Sequence, residues 1–303
     1  MTASAPDPVA LAAIGELVAG GGVCVLSGAG ISTESGIPDY RGPDGQRRVR
    51  PMEYGEFVGS PAARQRYWAR AYVGWDRFAS SRPNAGHRAV TAFQRAGLVG
   101  PVITQNVDGL HQQAGSAEVL ELHGTLSVVR CLTCEDRRPR GELQARLAAL
   151  NPAYGAAGPS AAIQPDGDVA LSEEAVAGFR VARCLVCGAD TLKPDVVFFG
   201  ESVPKERVAR AYAAVEAASS LLVLGSSLQV MSGYRFVRAA HKAGTPVAVI
   251  TRGRTRGDAE ADVRLDAGLG ESLVALAERV GVRGDVGPAG DGECATGLPL
   301  GLV

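Results

Sequence analysis

The sequence has no long apolar run. None of its stretches approaches the ~18 uncharged apolar residues of a membrane-spanning helix, and the most apolar one, Val9–Leu26, is interrupted by Glu16 and four glycines. No basic residue precedes Arg41, whereas secretory signals and transit peptides carry basic residues near the N-terminus. We therefore expect a soluble, cytoplasmic protein that does not insert into a membrane.

The sequence also lacks a net excess of positive or of negative charge. The chain has 31 basic and 32 acidic residues, which gives a net charge of −1. A protein whose main ligand is the phosphate backbone of nucleic acid usually carries a basic excess, so no specific nucleic-acid partner is expected. The 303 residues, 46% hydrophobic and 21% charged, suffice for about two domains with real cores.

A complete dinucleotide-binding fingerprint is missing as well. The strand-like run Val23–Leu26 leads into a glycine turn, but a full G-x-G-x-x-G would need glycine at Thr33. No acidic residue ends a second strand about 20 residues further on, where Arg47 and Arg48 stand instead. These absences argue against a hydride-transfer dehydrogenase. On this motif alone, a tight turn without a ligand is the alternative.

Four of the six cysteines form two pairs with metal-ligand spacing. Cys131 and Cys134 make one Cys-x-x-Cys turn, and Cys184 and Cys187 make the other. Four thiolates and no open coordination position are typical of a structural, tetrahedral zinc site that stabilises a small lobe. Core cysteines or a redox pair are the alternatives.

Polar clusters follow directly after the apolar strand-like runs. They are residues 28–32, 105–108, 123, 225–227 and 251–253. In a doubly wound parallel sheet the carboxyl ends of the strands share one edge, where ligands bind. The sequence therefore predicts an α/β, Rossmann-like doubly wound parallel sheet with these clusters around one crevice.

His123 is the candidate general base. It follows the strand-like run Val119–Leu122, and an imidazole with a pKa near ~6.5 suits proton transfer at neutral pH. A structural histidine is the alternative reading. Of the other three, His87 and His111 stand in helical or turn contexts that could bury them, and His241 is expected on the solvent face of a helix.

Several motifs together resemble the sirtuin family in order and spacing. They are Gly28–Ser32, Gly36–Arg41, Gln105–Asp108, His123–Gly124, the paired cysteines, Lys193–Glu201 and Gly225–Leu228. The resemblance covers residues 8–280. Within the family, Arg66–Arg70, the long insertion between the cysteine pairs and Leu171–Glu174 resemble the class II, mitochondrial-type branch that contains human sirtuin four, here in a form expected to be bacterial.

The resemblance implies NAD as a consumed cosubstrate, one structural Zn²⁺ and acyl-lysine proteins or peptides as substrates. It implies that His123 and Asn106 are catalytic. It also implies which residues bind NAD: a glycine turn at the pyrophosphate, a loop over the nicotinamide ribose, side chains at the ribose and the carboxamide, and residues at the adenosine. The implied NAD-binding residues are Gly28, Ala29, Gly30, Ser32, Ile37, Asp39, Tyr40, Arg41, Gln105, Asn106, Asp108, Gly225, Ser226, Ser227, Thr251, Arg252, Gly253 and Leu269.

The implied reaction is deacylation of lysine, in which the acyl group is transferred to ADP-ribose and nicotinamide is released. The peptide is expected to lie as an added strand between residues 196–201 and 232–234. A protein mono-ADP-ribosyltransferase or a lipoamidase-like activity at the same site is the enzymatic alternative. A zinc-containing module that only binds NAD is the non-enzymatic one, which the presence of a strand-end base disfavours.

The resemblance also implies a domain plan. Residues 8–126 and 192–282 form the NAD-binding domain, in which 38–80 is a helical small-lobe insertion that carries the cofactor loop. Residues 127–191 form the zinc-binding domain, and 283–303 are expected to be disordered because they are rich in Gly and Pro.

Two positions depart from the family patterns. Thr251-Arg252-Gly253 replaces an Asn-x-Gly that contacts the adenosine ribose, and threonine lacks the reach of the amide, so weaker NAD binding is expected. Tyr67 and Arg70 superficially resemble a Tyr-x-x-Arg that another branch uses for acidic acyl groups. A shift of one residue destroys that match, and a preference for succinyl groups is not expected.

Overall fold

The structure is a computed structural model that describes residues 6–42, 46–47, 50–152, 154 and 163–282. The predictions made for the tail 283–303 and for Arg48 lie outside the described residues. The helices are α1 (Pro8–Ala19), the 3₁₀ helix Ala29–Ser35, α2 (Tyr54–Gly59), α3 (Pro61–Ala79), α4 (Ala85–Arg95), α5 (Leu110–Gln113), α6 (Arg140–Leu150), α7 (Glu173–Ala177), α8 (Lys205–Glu216), α9 (Met231–Lys242) and α10 (Leu269–Arg279).

The strands form two sheets. In chain order they are β1 (Val23–Ser27), β2 (Val99–Thr104), β3 (Val119–Glu121), β4 (Gly124–Cys131), β5 (Arg137–Pro139), β6 (Leu192–Val196), β7 (Ser220–Leu224), β8 (Val247–Ile250) and β9 (Val263–Leu265). The larger sheet is six-stranded, parallel throughout, with the order β3-β2-β1-β7-β8-β9. The smaller one is antiparallel, with the order β5-β4-β6.

The parallel sheet places the strand ends at one edge. Ser27, the last residue of β1, is in register with Thr104 of β2 and Leu224 of β7. The chain winds from β1 towards β2 on one side and resumes with β7 on the other. The strand order therefore reverses between β1 and β7, and a crevice opens outside their carboxyl ends. The predicted Rossmann-like fold is confirmed.

Helices cover both faces of this sheet. Val25 of β1 packs in one core cluster with Ile14 of α1, Phe93 of α4 and Leu273 of α10. Its neighbours Cys24 and Leu26 point to the opposite face, into a cluster that includes residues of α8 and α9. This alternation follows from the two-residue period of a strand, and it explains why an unbroken apolar run predicts a strand buried on both sides.

The smaller sheet forms the base of a second lobe. Its core joins residues of α2, α3 and α6 to strands β4 and β6. Trp68 of α3 is fully buried there, and its indole Nε1 donates to the carbonyl of Leu192 at 2.9 Å. The predicted domain boundary after residue 126 falls inside β4 and the one after 191 falls at the start of β6.

Among the described residues, no helix combines the length and the apolar character needed to cross a membrane.

Candidate active site

A cavity of about 900 Å³ opens at the carboxyl edge of the parallel sheet. All the sequence-predicted NAD-binding residues line it except Gly253, and so do both predicted catalytic residues, His123 and Asn106. The amide of Gly253 donates instead to Asp266 Oδ1 at 3.0 Å. The crevice that strand order alone predicts thus brings the separate motifs together.

The charges along the cavity wall suit an anionic ligand. Six basic side chains and four acidic ones line it, a cationic surplus that favours a diphosphate. The basic residues are Arg41, Arg47, Lys205, Arg235, Arg252 and Arg254; the acidic ones are Glu34, Asp39, Asp108 and Glu201. The size of the cavity falls within the range of small-molecule sites, so the described residues fit a dinucleotide.

The glycine turn packs against the end of β7. A Cβ atom at Gly28 would lie 2.8 Å from Ser226 Cβ, and one at Gly30 would lie 2.8 Å from Gly225 Cα. The amide of Gly30 donates to the carbonyl of Gly225 at 2.8 Å. Both glycines are therefore required by close backbone approach within the chain itself, in addition to any approach of a phosphate.

Ser32 connects two polar side chains in the cavity. Its hydroxyl donates to Asp108 Oδ2 at 2.7 Å, and it accepts from Asn106 Nδ2 at 3.0 Å. The same amide nitrogen donates to the carbonyl of Gly28 at 3.1 Å. Burial raises the pKa of Asp108, and hydrogen bonds from the Leu110 amide and Ser32 offset part of that rise. The cluster fixes an amide and a carboxyl group side by side.

His123 has both ring nitrogens engaged. Nδ1 lies 2.8 Å from the carbonyl oxygen of Gln105, and Nε2 lies 2.8 Å from Ser232 Oγ. A carbonyl can only accept, so Nδ1 carries the proton and Nε2 of the neutral ring is the acceptor. Burial, with a smaller contribution from the charge of Arg207, lowers the pKa of His123. The ring is thus a neutral base at physiological pH, with its lone pair at Nε2.

The segment Lys193–Glu201 holds the wall next to this base. The amide of Val197 donates to the carbonyl of His123 at 2.7 Å. Glu201 Oε2 accepts from the amide of Phe198 and from Lys193 Nζ, both at 2.9 Å. Lys193 is fully buried, and its ammonium also lies 4.2 Å from the centroid of the Phe198 ring. A buried ion pair therefore fixes the turn that follows β6.

The four paired cysteines meet at the far end of the small lobe. Their Sγ atoms all lie within 4.8 Å of one another, with 3.6 Å between Cys131 and Cys187 and 3.6 Å between Cys134 and Cys184. A tetrahedral zinc with Zn–S bonds of about 2.3 Å sets S···S distances near ~3.8 Å. The thiolate set fits zinc, and none of the four lines the cavity, which supports a structural role.

The comparisons with known proteins agree with this geometry. The Sir2 family model matches residues 28–232. The chain is 55% identical over 286 residues to NAD-dependent protein deacetylase 1 of Streptomyces coelicolor, covering 94% of this chain and 95% of the relative. It is 50% identical over 282 residues to NAD-dependent protein deacetylase 1 of Mycobacterium avium, covering 92% and 96%. The chain belongs to the Sir2 family, the sirtuins.

Solved sirtuin structures share the whole architecture. A Sir2 complex with a p53 peptide and NAD⁺ is 29% identical, with a TM-score of 0.70, and covers 88% of this chain and 97% of that one. A Sir2 protein bound to a myristoylated histone peptide is 26% identical, with a TM-score of 0.65, and covers 90% and 97%. The sirtuin prediction made from the sequence motifs is confirmed, whereas the class II assignment stays a prediction.

Some site residues of this sirtuin carry no sequence signal of their role. Ser232 was expected only beside the peptide, yet its hydroxyl contacts the base. Lys193 and Glu201 were recognised only as parts of a motif, and their pairing was not predicted. His87 and His111 are buried as the sequence allowed, and His241 is exposed. Ser232 acquires its role through a contact 109 residues away in the sequence, and the pairing of Lys193 with Glu201 depends on the turn that follows β6; composition and spacing report neither.

The structure shows the surroundings of the two departures from the family patterns, Thr251 and the pair Tyr67 and Arg70. Thr251 is buried at the end of β8, and its amide donates to the carbonyl of Leu265 at 3.1 Å. Arg70 lies outside the cavity lining, and its Nε is 3.0 Å from Asp168 Oδ2. Tyr67 packs among Phe57, Trp68 and Phe198. Arg70 is thus paired with the carboxyl group of Asp168 and does not line the cavity.

Proposed function

We infer that this sirtuin is an NAD-dependent protein-lysine deacylase that acts on acyl-lysine in proteins or peptides. The similar proteins of Streptomyces coelicolor and Mycobacterium avium are both named NAD-dependent protein deacetylases. The observation that carries the proposal is the state of His123: a neutral imidazole with its lone pair at Nε2, on the wall of a cavity that fits a dinucleotide.

When bound, NAD supplies an electrophilic ribose carbon, which becomes reactive as nicotinamide leaves, and the hydroxyls that receive the acyl group. Asn106 and Asp108 hold the nicotinamide end, because an amide and a carboxyl group together can pair with a ribose hydroxyl and a carboxamide. The backbone of Gly28–Ser32 and Arg41 bind the diphosphate. The adenosine side is bound by Ser226, Ser227, Thr251, Arg252 and Leu269, all of which line the cavity.

His123 removes a proton from a substrate hydroxyl through Nε2, while the carbonyl of Gln105 holds Nδ1–H and so fixes the tautomer. Tyr40 and Phe199, whose rings meet edge to face at 5.7 Å, shield the reacting atoms from water. A weak nucleophile such as an amide oxygen depends on this exclusion and on alignment.

The finer assignments are proposals of the same kind. Separate core clusters in the two lobes support an NAD-binding domain of residues 8–126 and 192–282 and a zinc-binding domain of residues 127–191. Among the described residues the cysteines are unpaired thiols, which supports a reducing, cytoplasmic location. The long chain segment between the cysteine pairs supports the class II branch, with neutral acyl groups as substrates.

The test is mass spectrometry of acetyl-, propionyl-, succinyl-, lipoyl- and long-chain acyl-lysine peptides incubated with NAD and the wild-type protein or His123→Ala. NAD-dependent removal of an acyl group by the wild type alone supports deacylation. If nicotinamide is released while every peptide stays acylated, the deacylase proposal fails and ADP-ribosyl transfer or NAD hydrolysis replaces it. If no nicotinamide is released although NAD binds to the protein, the module that only binds NAD replaces it.

A further inference from the structure

A buried chain of hydrogen bonds runs beneath the cavity and ends at Asn106. His111 Nε2 lies 2.9 Å from Ser27 Oγ, and Ser27 Oγ donates to Thr104 Oγ1 at 2.9 Å. Thr104 Oγ1 also accepts from the backbone amide of Asn106 at 3.1 Å. The exposed fractions of Ser27, Thr104 and His111 are 0%, 3% and 1%. The hydrogen bonds of this chain are therefore shielded from competition by bulk water.

The direction of these hydrogen bonds fixes the tautomer of His111. The single hydroxyl hydrogen of Ser27 is used on Thr104, so Ser27 Oγ must accept from His111 Nε2–H. Burial lowers the pKa of His111 to about 4, so the ring is neutral and Nδ1 is an acceptor. His111 Nδ1 has no hydrogen-bond partner among the described residues.

His87 carries the complementary group. Its Nδ1 accepts from the amide of Asn84 at 3.4 Å, so its Nε2 carries the hydrogen. Burial lowers the pKa of His87 as well, and Nε2 lacks a partner in the described part of the chain. The centroids of the His87 and His111 rings are 5.0 Å apart. The two rings are thus in edge contact, without a hydrogen bond between Nε2 of His87 and Nδ1 of His111.

Asn84, which is hydrogen-bonded to His87, reaches the 3₁₀ helix on the opposite wall of the cavity. Asn84 Nδ2 donates to the carbonyl of Ile31 at 2.7 Å and to Ser35 Oγ at 3.0 Å. Both acceptors belong to the 3₁₀ helix that also contains Ser32. Ser32 in turn contacts the Asn106 amide group. The two histidines, in ring contact but without a hydrogen bond between them, therefore lie between the two segments that hold Asn106.

We propose that His111 is a positioning residue for the sirtuin reaction, which acts through Ser27 and Thr104 to orient Asn106 at the nicotinamide end of the cavity. The proposal rests on the proposed function of Asn106. His111 does not line the cavity, so it touches no substrate and is not a catalytic residue. Its effect comes from the fixed tautomer, which lets one neutral ring donate to Ser27 without placing a charge beneath the site.

The test compares His111→Phe, His111→Gln and Thr104→Val, with Thr91→Val as the matched control. Thr91 is also a buried threonine with side-chain hydrogen bonds, to the carbonyl of His87 at 3.2 Å and to Ser116 Oγ at 2.9 Å, but it is not part of the chain to Asn106. Steady-state nicotinamide release is measured against NAD and against an acyl-peptide, together with the melting temperature.

We expect His111→Phe and Thr104→Val each to lower kcat/KM for NAD by about 3- to 10-fold, the effect of one lost buried hydrogen bond. KM for the acyl-peptide is expected to stay unchanged. His111→Gln retains an N–H donor and should recover part of the loss. Because both residues act in one chain, His111→Phe combined with Thr104→Val should be no worse than Thr104→Val alone.

A purely structural role would give a different result. In that case Thr91→Val would match Thr104→Val in its NAD kinetics, His111→Gln would be as impaired as His111→Phe, or the double variant would show additive losses; each outcome overturns the proposal. If His111→Phe does not fold, the comparison of Thr104→Val with Thr91→Val decides. If the wild type releases no nicotinamide, the proposed function fails, and NAD dissociation constants of the same variants then test the positioning role separately.

Discussion

The buried pair of Lys193 and Glu201 allows a quantitative prediction about stability. Glu201→Gln removes the carboxylate that faces the Lys193 ammonium at 2.9 Å. Lys193 has no exposed surface, and its ammonium also contacts the carbonyls of Pro194 and Val196 and the rings of Phe198 and Tyr54. The variant therefore leaves a buried cation without its counter-charge.

The expected cost is about 3 kcal/mol of unfolding free energy. Breaking a buried pair from one side costs about 3–5 kcal/mol, and the lower end applies because the side chain of Glu201 is 12% exposed. Glutamine also keeps an oxygen for the amide of Phe198. With an unfolding entropy of ~2.1 cal/mol/K per residue over 303 residues, that loss corresponds to a fall in melting temperature of about 5 °C.

Urea unfolding followed by tryptophan fluorescence measures this loss, because Trp68 is buried in the small lobe and bonded to Leu192 of β6. Glu56→Gln is the control, since Glu56 and Arg66 form an exposed pair worth less than about 1 kcal/mol. Adding Lys193→Met to Glu201→Gln should restore part of the stability. If Glu201→Gln costs no more than Glu56→Gln, the buried charge does not depend on Glu201 and the reasoning is wrong.

Three further predictions concern the base, the metal and the acyl group. Deacylation should be lost as pH falls through the lowered pKa of His123, below the ordinary 6.5, because the protonated ring has no lone pair at Nε2. Ser232→Ala removes a donor that favours the neutral ring and should move this acid limb upwards by less than about one pH unit; a shift in the opposite direction would contradict the assigned tautomer. Elemental analysis should find about one zinc per chain, and Cys187→Ser should lose it together with the fluorescence transition of Trp68. Succinyl-lysine peptides should react more slowly than acetyl-lysine peptides because Arg70 is paired with Asp168, and faster desuccinylation in the peptide panel would show that Arg70 is available to the substrate.

The ends of the buried parallel strands could be predicted from the sequence, because each lies where a local run of apolar residues stops. Val23–Leu26 and Leu221–Leu224 are apolar runs that stop at glycine or polar residues, and both are buried strands in the parallel sheet. The short β9 was missed, since Arg264 interrupts its only two apolar residues. Local pattern is informative where burial on both faces demands continuous hydrophobicity.

The smaller sheet could not be predicted in the same way. β6 contains Lys193, Pro194 and Asp195, which by composition indicate a turn rather than a strand. These charges are tolerated because Glu201 pairs with Lys193 and because Arg130, Arg137 and Arg207 surround Asp195 at 3.9, 3.2 and 3.7 Å. The charges of this strand are paired by side chains that come together only in the folded lobe, and residue composition does not report such pairing.

The same distinction between local pattern and distant contacts applies to the general base, His123. Its position after a strand was predictable, but its protonation state depends on Gln105, 18 residues away, and its access depends on Ser232, 109 residues away. Because Ser232 donates to Nε2, the lone pair that a substrate hydroxyl needs is already in use, and the substrate must displace that donor to react. The contact therefore keeps the imidazole neutral and oriented before substrate binds, and the hydroxyl that replaces Ser232 meets a base whose tautomer is already fixed by Gln105.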